Sequence, residues 1–154
     1  MTEGIVWHVQ GTAVMRRMGP AAEQVIREAH ALLTDPKFHG PDQQFAKAIA
    51  HLNSRPEPDL ENCVKDSIGA LEAVANILAG TRGQHLNVLL EKDPFKSLFH
   101  PAIRQCIDKL YAYRGAAPGV SHGLVGESGV SVDEALWALQ MAAATIILMV
   151  NKCR

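Results

Sequence analysis

Aromatic side chains are scarce in this chain: two Trp, two Tyr and four Phe make up 5% of its 154 residues. Long β-branched runs are missing too, while alanine and the aliphatic residues dominate. This excludes a strand-rich sandwich or barrel and predicts an all-α fold. Charge of one sign is also lacking. Lys plus Arg number 15 against 16 for Asp plus Glu, a formal net charge of −1, which excludes a globally basic nucleic-acid binder but leaves room for a local basic patch. Cysteine is limited to Cys63, Cys106 and Cys153, an odd number with no Cys-x-x-Cys pair. Neither a disulfide framework nor a zinc site is expected, and a reducing cytoplasm is the compartment that fits. The longest apolar run, residues 135–150, contains Gln140 and falls short of the roughly 20 residues that a membrane span needs. It reads as a buried helix, so no membrane partner is expected. No export signal is expected either, because His8 and Gln10 interrupt the apolar residues at the start and Arg16-Arg17 lies on the wrong side of them.

What is present is helical periodicity. Residues 1–18 are an arm of ambiguous character, in which Ile5, Trp7 and Val9 alternate as in a strand that has no obvious partner. Residues 19–154 read as a single helical-bundle domain. Its first helix opens at Gly19-Pro20, carries Ala22, Val25, Ile26, Ala29, Leu32 and Leu33 at helical spacing, and stops near Thr34-Asp35-Pro36. A polar link, residues 37–42, leads to a second helix from about Pro41 to Asn53, with Phe45, Ala48, Ile49 and Leu52 as its apolar positions. The third and longest helix, about Pro58 to Leu78, has Leu60, Val64, Ile68, Leu71, Val74 or Ala75, and Leu78 on one stripe. Glu61, Lys65, Glu72 and Asn76 fall mostly on the other side, and Gly80 acts as the stop. A short helix over His85 to Glu91 is broken by Asp93-Pro94. Another runs from Pro101 to about Tyr113, with Ile103, Cys106 or Ile107, and Leu110 facing inward. Ser131-Val132-Asp133-Glu134 has the form of a capping box, so the last helix should start at Val132 and run to about Lys152.

Between these last two helices lies Tyr111 to Ser131, with Gly115, Gly119, Gly123, Gly126, Gly129 and Pro118. Glycine costs about 1 kcal/mol and proline about 3 kcal/mol in a helix interior, so a loop is expected. Gly119, Ser121 and Gly123 formally match Gly-x-Ser-x-Gly, but a nucleophile elbow needs a preceding strand and a later histidine, and no histidine follows His122. No Walker A lysine follows the glycines, and no strand leads into them for a dinucleotide fingerprint. The seven histidines are scattered, none paired at i, i+4, which argues against a metal site. Small-ligand binding has no positive residue signal. What remains is Arg114 and His122. A guanidinium grips phosphate and an imidazole moves protons near neutrality, a pairing suited to cleaving an RNA phosphodiester without metal. His122 would take the 2′-hydroxyl proton or supply one to the leaving oxygen, Arg114 would stabilise the phosphorane, and Ser121 could add a hydrogen bond. Arg104 and Lys109 could extend a basic patch around Arg114. The alternative reading of the same residues is structural: Arg114 covers the carbonyls of the preceding helix and His122 pins the loop.

The order of five segments, residues 32–53, 62–80, 99–115, 119–123 and 134–150, resembles the abortive-infection C-terminal domains and related bacterial proteins of the HEPN superfamily. The resemblance covers roughly residues 32–152, and its most specific pieces are SIGALEAV, the arginine loop, and His122-Gly123 ahead of an alanine-rich helix. It implies an up-and-down bundle of four to five main helices, a homodimer and, in active members, a metal-independent endoribonuclease of phage-defence or toxin-antitoxin systems. RNA is then the substrate, an antitoxin or other protein a partner, and no cofactor is needed. By this resemblance Arg114 and His122 are the catalytic pair, and Glu72 on the facing long helix joins Ser121 in substrate binding. The stretch between Arg114 and His122 is longer than the family's usual spacing, and Gly115 stands where a polar residue is common. Both features fit the alternative, a non-catalytic helical module for dimerisation or partner binding.

Overall fold

The computed structural model describes residues 7–10, 13–16, 18–116 and 129–154. The chain opens with an antiparallel pair, β1 (Trp7–Gln10) and β2 (Ala13–Arg16), in the register Trp7 opposite Arg16 and Val9 opposite Val14. The strand suspected at Trp7 and Val9 therefore exists, but the expectation that it lacks a partner is wrong. The partner begins two residues downstream, and its Ala13 and Met15 hid it, since neither favours strands.

The rest is helical. α1 (Pro20–Leu33) starts with proline in its first turn, where the missing N–H is no loss. α2 (His39–Leu52) begins earlier than expected, because Pro41 occupies its first turn. The polar link is also more than a link: residues 36–38 form a single 3-10 turn that buries Phe38. α3 (Leu60–Leu78) is N-capped by Asp59, whose side chain accepts from the Asn62 amide at 3.2 Å. It ends in a Schellman arrangement, with Thr81 N–H donating to Asn76 O at 2.9 Å and Gly80 N–H to Ile77 O at 3.1 Å. Gly80, at φ +67, supplies the left-handed residue that this ending requires.

α3 is the axis of the bundle. It packs against α2 on one side and α7 (Val132–Lys152) on the other, and α1 closes over α7. Most of the predicted α3 stripe is buried, with Val64, Ile68 and Leu71 fully inaccessible and Leu78 only partly covered, but Asn76, expected on the polar side, is buried as well. Cys63 lies in the same core, and burial pushes its thiol up to about 12, which leaves it inert. A polar clamp adds direction to the α2–α3 contact: His51 Nε2 sits 3.2 Å from Asp66 Oδ2, and His51 Nδ1 lies 3.7 Å from Asp59 Oδ2.

α7 is long and apolar enough to cross a membrane by length and composition alone. Here its Ala135, Ala138, Leu139, Ala142 and Ile146 are buried in the bundle. Its start bears the predicted capping box: Glu134 N–H donates to Ser131 Oγ at 3.2 Å, and Ser131 N–H to Glu134 Oε2 at 2.8 Å. The backbone hydrogen bond from Ser131, followed by its side chain, holds the Glu134 carboxyl below its ordinary value. A carboxylate lowered in the folded state adds stability above its unfolded value and loses it as pH falls through the folded one. Glu134→Gln should therefore melt lower than wild type near neutrality and flatten the acid side of the melting-temperature curve, the two proteins converging at low pH. Parallel acid limbs would contradict this.

Three further helices follow α3: α4 (Leu86–Leu90) and α6 (Pro101–Ala116), which pack on it, and α5 (Phe95–Leu98), which the sequence did not announce and which packs on α4 and α6. Phe95 and Phe99 stack at 5.8 Å and anchor the short turns. α6 runs three residues beyond the expected end at Tyr113, so Arg114 and Gly115 are helical rather than part of a loop. The helix gains intrahelical hydrogen bonds there that outweigh the modest penalty of one glycine. Its inward face is narrower than expected. Ile107 and Leu110 are buried, but Ile103 is 39% exposed and Cys106 is exposed.

Candidate functional site

A polar cluster forms where the last turn of α6 crosses the C-terminal half of α3. Tyr111 and Arg114 lie three residues apart on one face of α6, and the Arg114 guanidinium sits 5.8 Å from the Tyr111 ring centroid. Across from them, Glu72 projects from α3. Its Oε1 accepts from Arg114 Nη1 at 3.4 Å, and its Oε2 accepts from the Leu86 amide at 3.0 Å, in the first turn of α4. One carboxylate thus fastens α3 to both α4 and α6.

His85, immediately before α4, completes the group. Its Nδ1 lies 3.1 Å from the Tyr111 hydroxyl and 4.0 Å from Glu72 Oε2. The imidazole is 75% exposed, whereas Glu72 and Arg114 are 20% and 30% exposed, so the cluster has a partly buried acidic floor and an open imidazole rim. Burial pushes the Tyr111 phenol up. The Glu72 carboxylate adds to this by hydrogen bonding and by charge, and Arg114 works against it. An ion pair this accessible contributes at most about 1 kcal/mol, so its main consequence is orientation.

Asn76 holds the loop that presents His85. Its amide donates to Glu72 O at 3.0 Å and Gln84 O at 2.8 Å. Its carbonyl accepts from Thr81 Oγ1 at 2.9 Å and Gln84 N at 3.0 Å. All four hydrogen-bonding positions of one buried side chain are used, and Gly83, at φ +66, lets the chain turn back toward α3.

No protein-family model matches the chain, and neither a curated protein nor a solved structure is significantly similar to it.

Of the residues singled out by sequence, Glu72 and Arg114 are brought together, 42 positions apart in the chain. Ser121 and His122 lie outside the described residues. Arg104 and Lys109 do not gather around Arg114. Arg104 sits ten residues back on α6, about 15 Å by helical rise, where it pairs with Glu91 at 2.8 Å. Lys109, five residues back, faces elsewhere on the helix. Sequence reasoning missed His85 and Tyr111. For Tyr111 a signal existed, the i, i+3 spacing to Arg114; for His85 none did, because only the path of the loop after Gly80 delivers it.

A second feature lies between α6 and α7, which touch sparingly. An apolar groove of about 320 Å³ is lined by Ile103, Cys106, Ile107, Leu110, Met141 and Leu148, among others. Beside it Trp137 is 47% exposed, its ring edge-on to Tyr113 at 5.9 Å between centroids.

Proposed function

We propose that this chain is a cytoplasmic, HEPN-like bacterial defence or toxin protein that cleaves RNA without metal, with Arg114 as the phosphate-stabilising cation and His122 as a proton-transfer group. The observation that carries this reading is the 3.4 Å contact between Arg114 and Glu72. These are two of the residues that the resemblance assigns to one site, and they come from different helices. Holding the guanidinium on a carboxylate fixes the direction of its planar fork before substrate arrives, which is the condition for electrostatic stabilisation of a phosphorane.

The test is incubation with RNA in the presence of chelator. Products should end in 2′,3′-cyclic phosphate. Arg114→Ala and His122→Ala should each slow cleavage by about 10²-fold or more, and Arg114→Lys should fail to restore it because a point charge does not reproduce the fork. A folded wild-type protein that leaves RNA intact removes the reading.

The groove favours a second reading, in which the chain is a dimerisation module with a second copy seated between α6 and α7. Half-exposed Trp137, Met141 and Ile103 around one apolar hollow are the observation behind it. Wild type should then sediment as a dimer and Met141→Glu as a monomer, with Cys106 protected from thiol reagents only in the dimer. A wild-type monomer at every concentration counts against it.

A further inference from the structure

Cleavage of an RNA phosphodiester moves two protons, one off the 2′-hydroxyl and one onto the departing 5′-oxygen, and the proposed function names a single imidazole. We propose that His85 is a general base at the Arg114–Glu72 cluster, a catalytic residue positioned by Glu72 and Tyr111; this rests on the ribonuclease reading.

The argument begins at the ring nitrogens. His85 Nδ1 faces two groups: the Tyr111 hydroxyl at 3.1 Å and the Glu72 carboxylate, whose Oε2 is 4.0 Å away. An ionised carboxylate can only accept hydrogen bonds, and a hydroxyl oxygen can accept one as well. A hydrogen on Nδ1 therefore donates to the hydroxyl oxygen and turns the ring's positive edge toward the carboxylate, which leaves the lone pair of the neutral ring on Nε2. The ring is 75% exposed and borders the guanidinium-bearing face of α6. Among the described residues, the titratable groups in contact with it are Glu72 from α3 and Tyr111 from α6, with Arg114 on the far side of Glu72 and no titratable side chain on the five-residue α4 itself.

In the step, Nε2 accepts the 2′-hydroxyl proton as the 2′-oxygen bonds to phosphorus. The bond from phosphorus to the 5′-oxygen breaks, and that oxygen leaves with the electron pair and takes a proton from water. The products are a 2′,3′-cyclic phosphate and a free 5′-hydroxyl. Arg114 stays protonated throughout. Glu72 and Tyr111 touch no reacting atom and act only through the imidazole.

Two measurements test this. The first is the ¹⁵N spectrum of the His85 ring, which needs no turnover. The neutral ring should carry its hydrogen on Nδ1, uridine 3′-monophosphate should shift the Nε2 resonance, and Tyr111→Phe should weaken the tautomer preference. A ring with its hydrogen on Nε2, or one untouched by the nucleotide, overturns the proposal. The second is cleavage by His85→Gln, a substitution at an exposed position that should leave the fold intact by circular dichroism. The rate should fall by about 10²-fold, and the acid limb of the kcat/KM profile should disappear while uridine 3′-monophosphate still binds. Unchanged rate and profile in this variant, with wild type active, sink the role of His85 and leave the ribonuclease reading standing. A wild type that cleaves no RNA removes both.

Discussion

Replacing Asn76 with alanine is expected to lower stability by about 2 kcal/mol and the melting temperature by roughly 6 °C. The side chain is 7% exposed and makes four hydrogen bonds, two of them to the backbone of Gln84. Truncation leaves the Gln84 N–H and C=O without their partners, and a polar group stranded in partly buried surroundings costs about 1–3 kcal/mol. Gln84 is itself exposed and water recovers part of that, which is why the figure sits low in the range. The effect should reach the site as well. Residues 81–85 hang from Asn76, and His85 is the last of them. Thermal melts give the first number, and amide exchange at Gln84 and Leu86 gives the second. Faster exchange confined to residues 80–86, with the α3 core still protected, is the expected pattern. A variant as stable as wild type, with unchanged exchange, would mean that the loop is held by something else.

The second large effect belongs to the core. Phe45→Ala should cost about 4 kcal/mol, a large share of the 5–15 kcal/mol that separates folded from unfolded domains. Phe45 is fully inaccessible, and α2 lies along α3 in the most extensive helix contact of the bundle. The loss combines the transfer free energy of the ring with the cavity left behind, because two helices fixed by the His51 clamp cannot close over it. Phe45→Leu should cost less than half as much. Urea unfolding followed by circular dichroism would show it; equal losses for the two variants would mean that the helices collapse freely around the site.

These two residues differ in how they could be read. Phe45 was legible as core from the spacing of Phe45, Ala48, Ile49 and Leu52, since apolar residues three and four apart must share a face. Asn76 looked like part of a polar face, because an amide beside Glu72 on a helix is normally solvated. What buries it is a loop turning back after Gly80, and that loop is set by two left-handed glycines rather than by any periodicity. The capping box at Ser131 and Glu134 was readable for the opposite reason: both partners stand within one turn, and the pattern states the geometry. The end of α6 was misjudged because glycine weakens a helix without forbidding it, so Arg114 rides on a rigid turn rather than in a loop.

For the candidate site the division is similar. Arg114 and Glu72 could be paired on paper through resemblance, but the distance between them came from folding. Tyr111 could have been found from its place one turn before Arg114. His85 joins Tyr111 across 26 positions and gives no sign in the sequence.

By itself, then, the sequence determined the longer helices, the Gly80 stop, the Ser131 capping box and most of the apolar stripe of α3, because those depend on neighbours within a turn or two, where spacing and side-chain chemistry suffice. Only the tertiary structure decided that Asn76 is a buried tether, that α6 and α7 leave an apolar groove, and that an exposed imidazole meets a phenol and a carboxylate that also holds a guanidinium. Those contacts span 8 to 42 positions, and closure over such distances is set by the route of the connecting loops, to which local pattern is blind.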